Sequence, residues 1–421
     1  MKFKKFCMLI LLIIVLFSSI SYANIDEDEQ VDLNQIEYEV SQTSSDLSKI
    51  PSINSRAAVV IDRNSKLVLY GKEEYTIKKM ASTTKIMTAI IVIENSNLYD
   101  TVTISEKAAG TGGSKLGMTA GDKITVCDLL YGLLLKSGND AAVALAEYVG
   151  GSVEGFSDLM NKKASELNLY NTHFVTPHGL DNEEHYTTAY ELALLTDYAL
   201  KNETFSNLVA TKNYTVTING NPKSISNTNE LLGNLNGVYG VKTGFTNGAN
   251  RCLVTACKRD GLDVICVVLG ADTKKFRTQD SIKLIEYVFN CYKVIDLEKL
   301  ALNDFNSWKA DNLNKFNIIK GTSNQVTPNL KDFEYKLYPI KKEDEQNIST
   351  YIDCDYNLYA PLAESSKVGT LNIIINKDEV LKFDIVNTMP IEKKNALNYF
   401  LELLSNYFKY LDNNSLSCYY K

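Results

Sequence analysis

Ser82-Thr83-Thr84-Lys85 leads into Ile86-Met87-Thr88-Ala89-Ile90-Ile91-Val92-Ile93, and this stretch decides how the whole chain is read. Its apolar spacing predicts a helix from Ser82 through Ile93. On a helix, positions i and i+3 share a face, so the Ser82 hydroxyl and the Lys85 amine can meet. Serine is a weak nucleophile until a base takes its proton. A lysine can be that base if burial and a nearby cation draw its pKa down from about 10.4 toward neutrality. A serine at a helix start also lies beside free backbone N–H groups that can hold a developing oxyanion. No other Ser-x-x-Lys occurs in the chain. Two common residues at this spacing also arise by chance, so the pair needs company.

Upstream, Ala57-Ala58-Val59-Val60-Ile61 and Leu67-Val68-Leu69-Tyr70 are strand-like runs joined by the turn formers Asp62 to Ser65. Downstream, helical blocks at Val126–Leu135 and Ala141–Val149 flank the tight polar loop Lys136-Ser137-Gly138-Asn139-Asp140. A further helix is expected at Tyr190–Leu200, buried strands at Leu253–Ala256 and Val264–Leu269, and a closing helix at Ser281–Phe289. The pattern describes one α/β unit whose sheet takes strands from both ends. Ser137-Gly138-Asn139 is either a site loop held between packed helices or a plain helix–helix turn. Lys242-Thr243-Gly244 follows Gly233, Gly237 and Gly240 and opens a strand region. A cation, a hydroxyl donor and a glycine together suit a substrate carboxylate docked along a strand edge, or make an ordinary turn.

The three elements fall in the order S-x-x-K, S-x-N, K-T-G, separated by 55 and 105 residues. In this they resemble the active-site serine penicillin-recognising enzymes. Within that group the chain resembles the D-alanyl-D-alanine carboxypeptidases, the low-molecular-mass penicillin-binding proteins. The likeness extends to Leu129-Leu130-Tyr131-Gly132-Leu133-Leu134-Leu135-Lys136-Ser137-Gly138-Asn139-Asp140-Ala141-Ala142. It also takes in Thr172-His173-Phe174 with Pro177-His178-Gly179-Leu180-Asp181, and Gly240-Val241-Lys242-Thr243-Gly244-Phe245-Thr246. Tyr359-Ala360-Pro361-Leu362 and Val368-Gly369-Thr370-Leu371 echo the family's later β domain, so the resemblance spans residues 50–390.

The resemblance implies an antiparallel sheet flanked by helices and a small C-terminal β-rich domain. It implies that Ser82 attacks the carbonyl of a terminal peptide bond, with Lys85 as acylation base. Ser137 would relay a proton to the leaving amine beside Lys242. Asn139 would bind the substrate backbone and Thr243 its terminal carboxylate. Ser82 and Phe245 would supply the oxyanion N–H groups, and Gly244 is counted with the substrate-binding residues. Arg277 stands where the family has a carboxylate-binding arginine. The expected substrates are peptidoglycan pentapeptide stems, with β-lactams as covalent inhibitors and no cofactor or metal. Three departures stand out. The middle residue of Ser137-Gly138-Asn139 is glycine, whereas class A β-lactamases have S-D-N. Ala249-Asn250 replaces the usual Ala-Gly, although asparagine tolerates left-handed geometry. Lys115, in Gly112-Gly113-Ser114-Lys115, stands where a second serine is common.

The formal charge of −7 argues against a nucleic-acid partner, since phosphate neutralisation needs a basic surface. Lys2, Lys4 and Lys5 precede the apolar run Phe6 to Ile20 and the small residues at Ser21-Tyr22-Ala23, which reads as a signal peptide over 1–23. The alternative is an uncleaved anchor, for which the run is short. Removing residues 1–23 takes away three lysines and no acid, and the charge goes from −7 to −10. Seven cysteines then remain without a C-x-x-C pair, which suits buried thiols better than a zinc site. The three histidines, His173, His178 and His185, cluster beside Asp181, Glu183 and Glu184, yet form no H-E-x-x-H.

The expected order is a signal peptide (1–23), an acidic lead-in (24–50), the catalytic domain (51–290), the β-rich domain (295–388) and a tail (389–421). In the tail, Leu397, Phe400, Leu401, Leu404, Tyr407, Phe408 and Leu411 recur at helical spacing with Lys393, Lys394 and Lys409. That segment either lies on a membrane or packs on its own domain. The implied location is the outer face of the cytoplasmic membrane or the cell wall. A serine β-lactamase, a zinc hydrolase and a non-catalytic wall-binding protein are the competing readings.

Overall fold

The computed structural model describes residues 31–36, 49–331 and 337–416; residues 1–23 and Cys418 lie outside them. The chain forms two compact units, Met1–Cys291 and Tyr292–Lys421.

In the first unit the early apolar runs form β1 (Ala57–Asp62) and β2 (Val68–Lys72). Two antiparallel strand pairs follow, β3 (Thr101–Thr103) with β4 (Lys123–Thr125), and the hairpin β5 (Asn213–Ile218) with β6 (Asn221–Ser226). The late runs form β7 (Val238–Thr246), β8 (Asn250–Arg259) and β9 (Leu262–Ala271). The main sheet has the order β2-β1-β9-β8-β7 and every pairing is antiparallel. β1 lies against β9, with Val59 opposite Val267, so the sheet does take strands from both ends of the unit.

Alternate residues of the central strands face different layers. Ala57, Val59, Ile61, Val254, Ile265 and Val267 join the large core with the helices Lys85–Asn95, Val126–Leu134 and Asn139–Gly150. Their neighbours Ala58, Val60, Cys266 and Val268 are also fully buried. The helix Lys274–Cys291 packs on β8 and β9. Burial on both faces explains why these strands read as continuous apolar runs. The closing helix begins seven residues before the expected Ser281. Its first two turns carry the polar Arg277, Thr278, Gln279 and Asp280, all buried, so hydropathy gives no sign of them.

The second unit is β-rich, with a four-stranded antiparallel sheet of Pro328–Leu330, Asp378–Asn387, Lys367–Ile375 and Ile348–Cys354. It also contains the unexpected helix Leu297–Asn312. Leu297, Ala301 and Phe305, four apart, enter the core with Leu371, Ile373 and Ile385, and Leu300, Leu302 and Trp308 pack against it half-buried. The helix Ala396–Leu416 closes the described chain.

Candidate active site

The nucleophile segment is a 3-10 turn, Ala81–Thr84, that runs into the helix Lys85–Asn95. The expected helix therefore begins later than Ser82. The tighter turn serves the same end, because residues three apart eclipse in a 3-10 helix. Lys85 Nζ lies 2.8 Å from Ser82 Oγ. It donates to Asn139 Oδ1 at 2.7 Å and to the His178 carbonyl at 3.0 Å. Lys85 is completely buried. That burial, reinforced by the Lys242 cation and opposed by Asp140, holds its pKa well below the ordinary lysine value.

Two glycines let other segments reach this turn. Gly179 has φ +84°, and a Cβ there would sit 1.9 Å from the Ala81 carbonyl oxygen, so the Pro177–Asp181 loop can lie on the nucleophile turn only with glycine. At Gly244 a Cβ would lie 3.1 Å from Ser82 N, which measures how closely β7 passes the nucleophile.

Ser137 has φ +60°, and Asn139 and Asp140 form the first turn of the helix Asn139–Gly150 rather than a free loop. Asp140 is buried and accepts from Leu116 N and Gly117 N at 2.8 Å each, which fixes the glycine-rich loop before it. Asn139 is engaged at both ends within the protein, since its Nδ2 donates to the Gly112 carbonyl at 2.7 Å. Lys115 points its Nζ at the Ala109 carbonyl, 2.9 Å away.

Lys242, Thr243 and Gly244 lie within β7 rather than opening it. Lys242 is buried and donates to the Thr243 carbonyl at 2.9 Å. The Thr243 hydroxyl shares a 2.7 Å hydrogen bond with Thr228. Arg277, only 3% exposed, pairs with Glu230. Phe245 stands opposite Arg251 in the β7–β8 register, and the guanidinium lies 3.7 Å over its ring. Asn250, which precedes it, takes the left-handed conformation at φ +56°, a geometry that glycine and asparagine both tolerate.

A cavity of about 320 Å³ gathers Ser82, Ser137, Asn139, Thr243, Gly244, Phe245 and Arg277 on its wall. Lys85 and Lys242 lie beneath it, fully buried. All nine expected residues therefore meet in one place.

Several participants were not identified from sequence. The His178 carbonyl is a backbone atom, Asp140, Thr228 and Glu230 act through contacts 15 or more residues away in the sequence, and Arg251 acts across the β7–β8 turn. The histidines have defined structural tasks. His185 Nδ1 accepts from Val175 N at 2.9 Å, so Nε2 carries the hydrogen and donates to Thr84 Oγ1 at 2.7 Å. His178 Nδ1 accepts from Leu180 N. Burial first, then the Lys85 charge, lowers the His178 pKa to about 3. Burial and His173 lower that of His185 to about 4.

Residues 14–273 match the peptidase S11 family model, described as D-alanyl-D-alanine carboxypeptidase. The chain is 34% identical over 355 residues to the D-alanyl-D-alanine carboxypeptidase DacF of Bacillus subtilis (strain 168), covering 83% of this chain and 88% of that protein. It is 34% identical over 359 residues to DacC of Escherichia coli (strain K12), covering 82% and 86%. Among solved structures, penicillin-binding protein 5 from Haemophilus influenzae superposes with a TM-score of 0.68 at 27% identity, over 82% of this chain and 99% of that one. The Streptomyces K15 DD-transpeptidase superposes with a TM-score of 0.55 at 37% identity, over 57% of this chain and 99% of that one.

Proposed function

Because the chain belongs to the D-alanyl-D-alanine carboxypeptidase family, we propose that it removes the terminal D-alanine from peptidoglycan pentapeptide stems through a Ser82 acyl-enzyme. The observation that carries this reading is the 2.8 Å approach of a buried Lys85 amine to Ser82 Oγ. As a neutral amine, Lys85 keeps two N–H groups for Asn139 Oδ1 and the His178 carbonyl and turns its lone pair to the serine hydroxyl. It takes the proton as Ser82 Oγ bonds to the carbonyl carbon of the penultimate D-alanine. Backbone N–H groups of Ser82 and Phe245 hold the oxyanion. Ser137, beside Lys242, passes a proton to the nitrogen of the leaving D-alanine as the C–N bond breaks. Water then hydrolyses the ester and frees Ser82. Thr243 and Arg277 hold the leaving residue's carboxylate. Asn139 orients Lys85, and contacts the substrate backbone when its Gly112 bond is exchanged. β-Lactams acylate Ser82 as mimics of the same bond.

Mass spectrometry after labelled-penicillin treatment should find the adduct on Ser82, and a synthetic pentapeptide should release D-alanine. Ser82→Ala should abolish both. Release that persists in Ser82→Ala would sink the reading, and rapid penicillin turnover would favour a β-lactamase.

The domain assignments 51–290, 295–388 and 389–421 follow the same reading. Residues 1–23 serve as the export leader and the enzyme works at the cell wall. Support for a membrane-lying tail comes from the helix Ala396–Leu416, whose Leu397, Phe400, Tyr407 and Phe408 are all more than half exposed. Among the described residues no helix is long and apolar enough to cross a membrane.

A further inference from the structure

One short segment touches both groups assigned to the substrate carboxylate. Thr228 hydrogen-bonds the Thr243 hydroxyl at 2.7 Å, and two residues later Glu230 pairs with Arg277. Thr278 Oγ1 donates to the same Glu230 oxygen as Arg277 Nη2. The segment is itself fixed. Asn227 Nδ2 donates to the Thr211 carbonyl at 3.1 Å, Thr228 N donates to the Leu135 carbonyl at 3.2 Å, and Leu231 N donates to Asn229 Oδ1 at 3.1 Å. Arg277 is nearly closed off from solvent, so its fork cannot swing to find a ligand. A guanidinium has five N–H donors in one plane; Glu230 engages Nη2 alone, through Oε1, and so pins one corner of that plane while leaving other donors for a ligand.

We propose that Thr228 and Glu230 are positioning residues for carboxylate recognition: Thr228 aims the Thr243 hydroxyl and Glu230 aims the free edge of Arg277. This deepens the carboxypeptidase reading and rests on it for the identity of the bound group. Glu230 stays ionised for the task. Burial alone would raise its pKa, but Arg277 and Thr278 outweigh burial and lower it. What the brace supplies is angle and distance rather than charge.

The test is an NMR titration in the full-length Ser82→Ala protein, with a diacylated tripeptide ending in D-Ala-D-Ala and with its C-terminal amide. Glu230→Leu, which removes the acceptor, should weaken binding of the acid about tenfold, as expected for one lost charge-assisted contact. It should leave the amide unchanged. Glu230→Gln, which keeps the accepting oxygen, should restore most of the acid's affinity. Thr228→Val should give a smaller loss, again confined to the acid, and it guards against misfolding of the leucine variant. Equal weakening of acid and amide, or no change in either, overturns the proposal. So does a parent protein that does not distinguish the two peptides. D-Alanine release by the Ser82 protein is measured separately. If none occurs while the acid-specific pattern holds, the carboxypeptidase reading falls and the brace stands.

Discussion

At the scale of single residues, the chemistry turns on how an amine is kept neutral. Lys85 gains its depressed pKa first from burial and then from Lys242. Acylation requires the unprotonated amine, so activity should rise as pH climbs through that pKa. Lys242→Gln removes the repelling charge and should move the acidic limb of the pH–rate profile to higher pH, besides lowering the rate. Rates of penicillin acylation across pH 4–9 would measure the displacement. An unmoved limb would mean that burial alone sets the value. Legibility at this scale divides by kind of atom. Ser82, Lys85, Ser137, Asn139 and Lys242 carry their chemistry in short motifs, and the sequence displays them. The His178 carbonyl and the Glu230 carboxylate act only because the chain returns to the same spot, 93 residues after Lys85 in one case and 47 before Arg277 in the other.

At the scale of elements, the site depends on how closely backbones can approach. Gly179→Ala forces a side chain into the Ala81 carbonyl at a positive φ. The expected cost is about 1–3 kcal/mol of stability, read as a lower melting temperature, together with slower acylation from a displaced nucleophile turn. The same loop carries a pH response. An unfolded histidine binds a proton near pH 6.5, but in the fold His178 does so only near 3 and His185 near 4. Between those limits the unfolded chain holds more protons, so stability is complete above about pH 6.5 and falls as pH drops toward 4. Each histidine contributes a slope of about 1.4 kcal/mol per pH unit within its window. Denaturant unfolding from pH 7 to 4 would test this, and His185→Gln should flatten the trend. The hydrophobic pattern revealed the central strands and most helices. It missed the start of Lys274–Cys291, whose first two turns have too few apolar residues to register a period, and it missed the helix Leu297–Asn312, although Leu297, Leu300, Ala301, Phe305 and Trp308 do recur at helical spacing.

At the scale of the whole molecule, two compact units follow each other in the chain, and the exposed apolar side chains concentrate in the last helix. Deleting residues 389–421 should abolish co-sedimentation with vesicles containing anionic lipid while leaving D-alanine release from a soluble peptide unchanged. Retained sedimentation would locate the membrane contact elsewhere. The pairing of early with late strands was legible from the order of apolar runs, and the antiparallel sheet from the family resemblance. The exact register was not, because strands buried on both faces lack the alternation that would fix it.

That pairing also governs timing. β1 waits for β9, and the turn bearing Ser82 and Lys85 waits for β7, some 150 residues further along. A polypeptide emerging from its N-terminus therefore carries its serine and amine long before the Lys242 cation and the Gly244 strand arrive beside them. Until β7 docks, Lys85 lacks the Lys242 cation that reinforces burial in lowering its pKa. The full set of site residues is thus assembled only after β7, made some 150 residues after the serine, has been added.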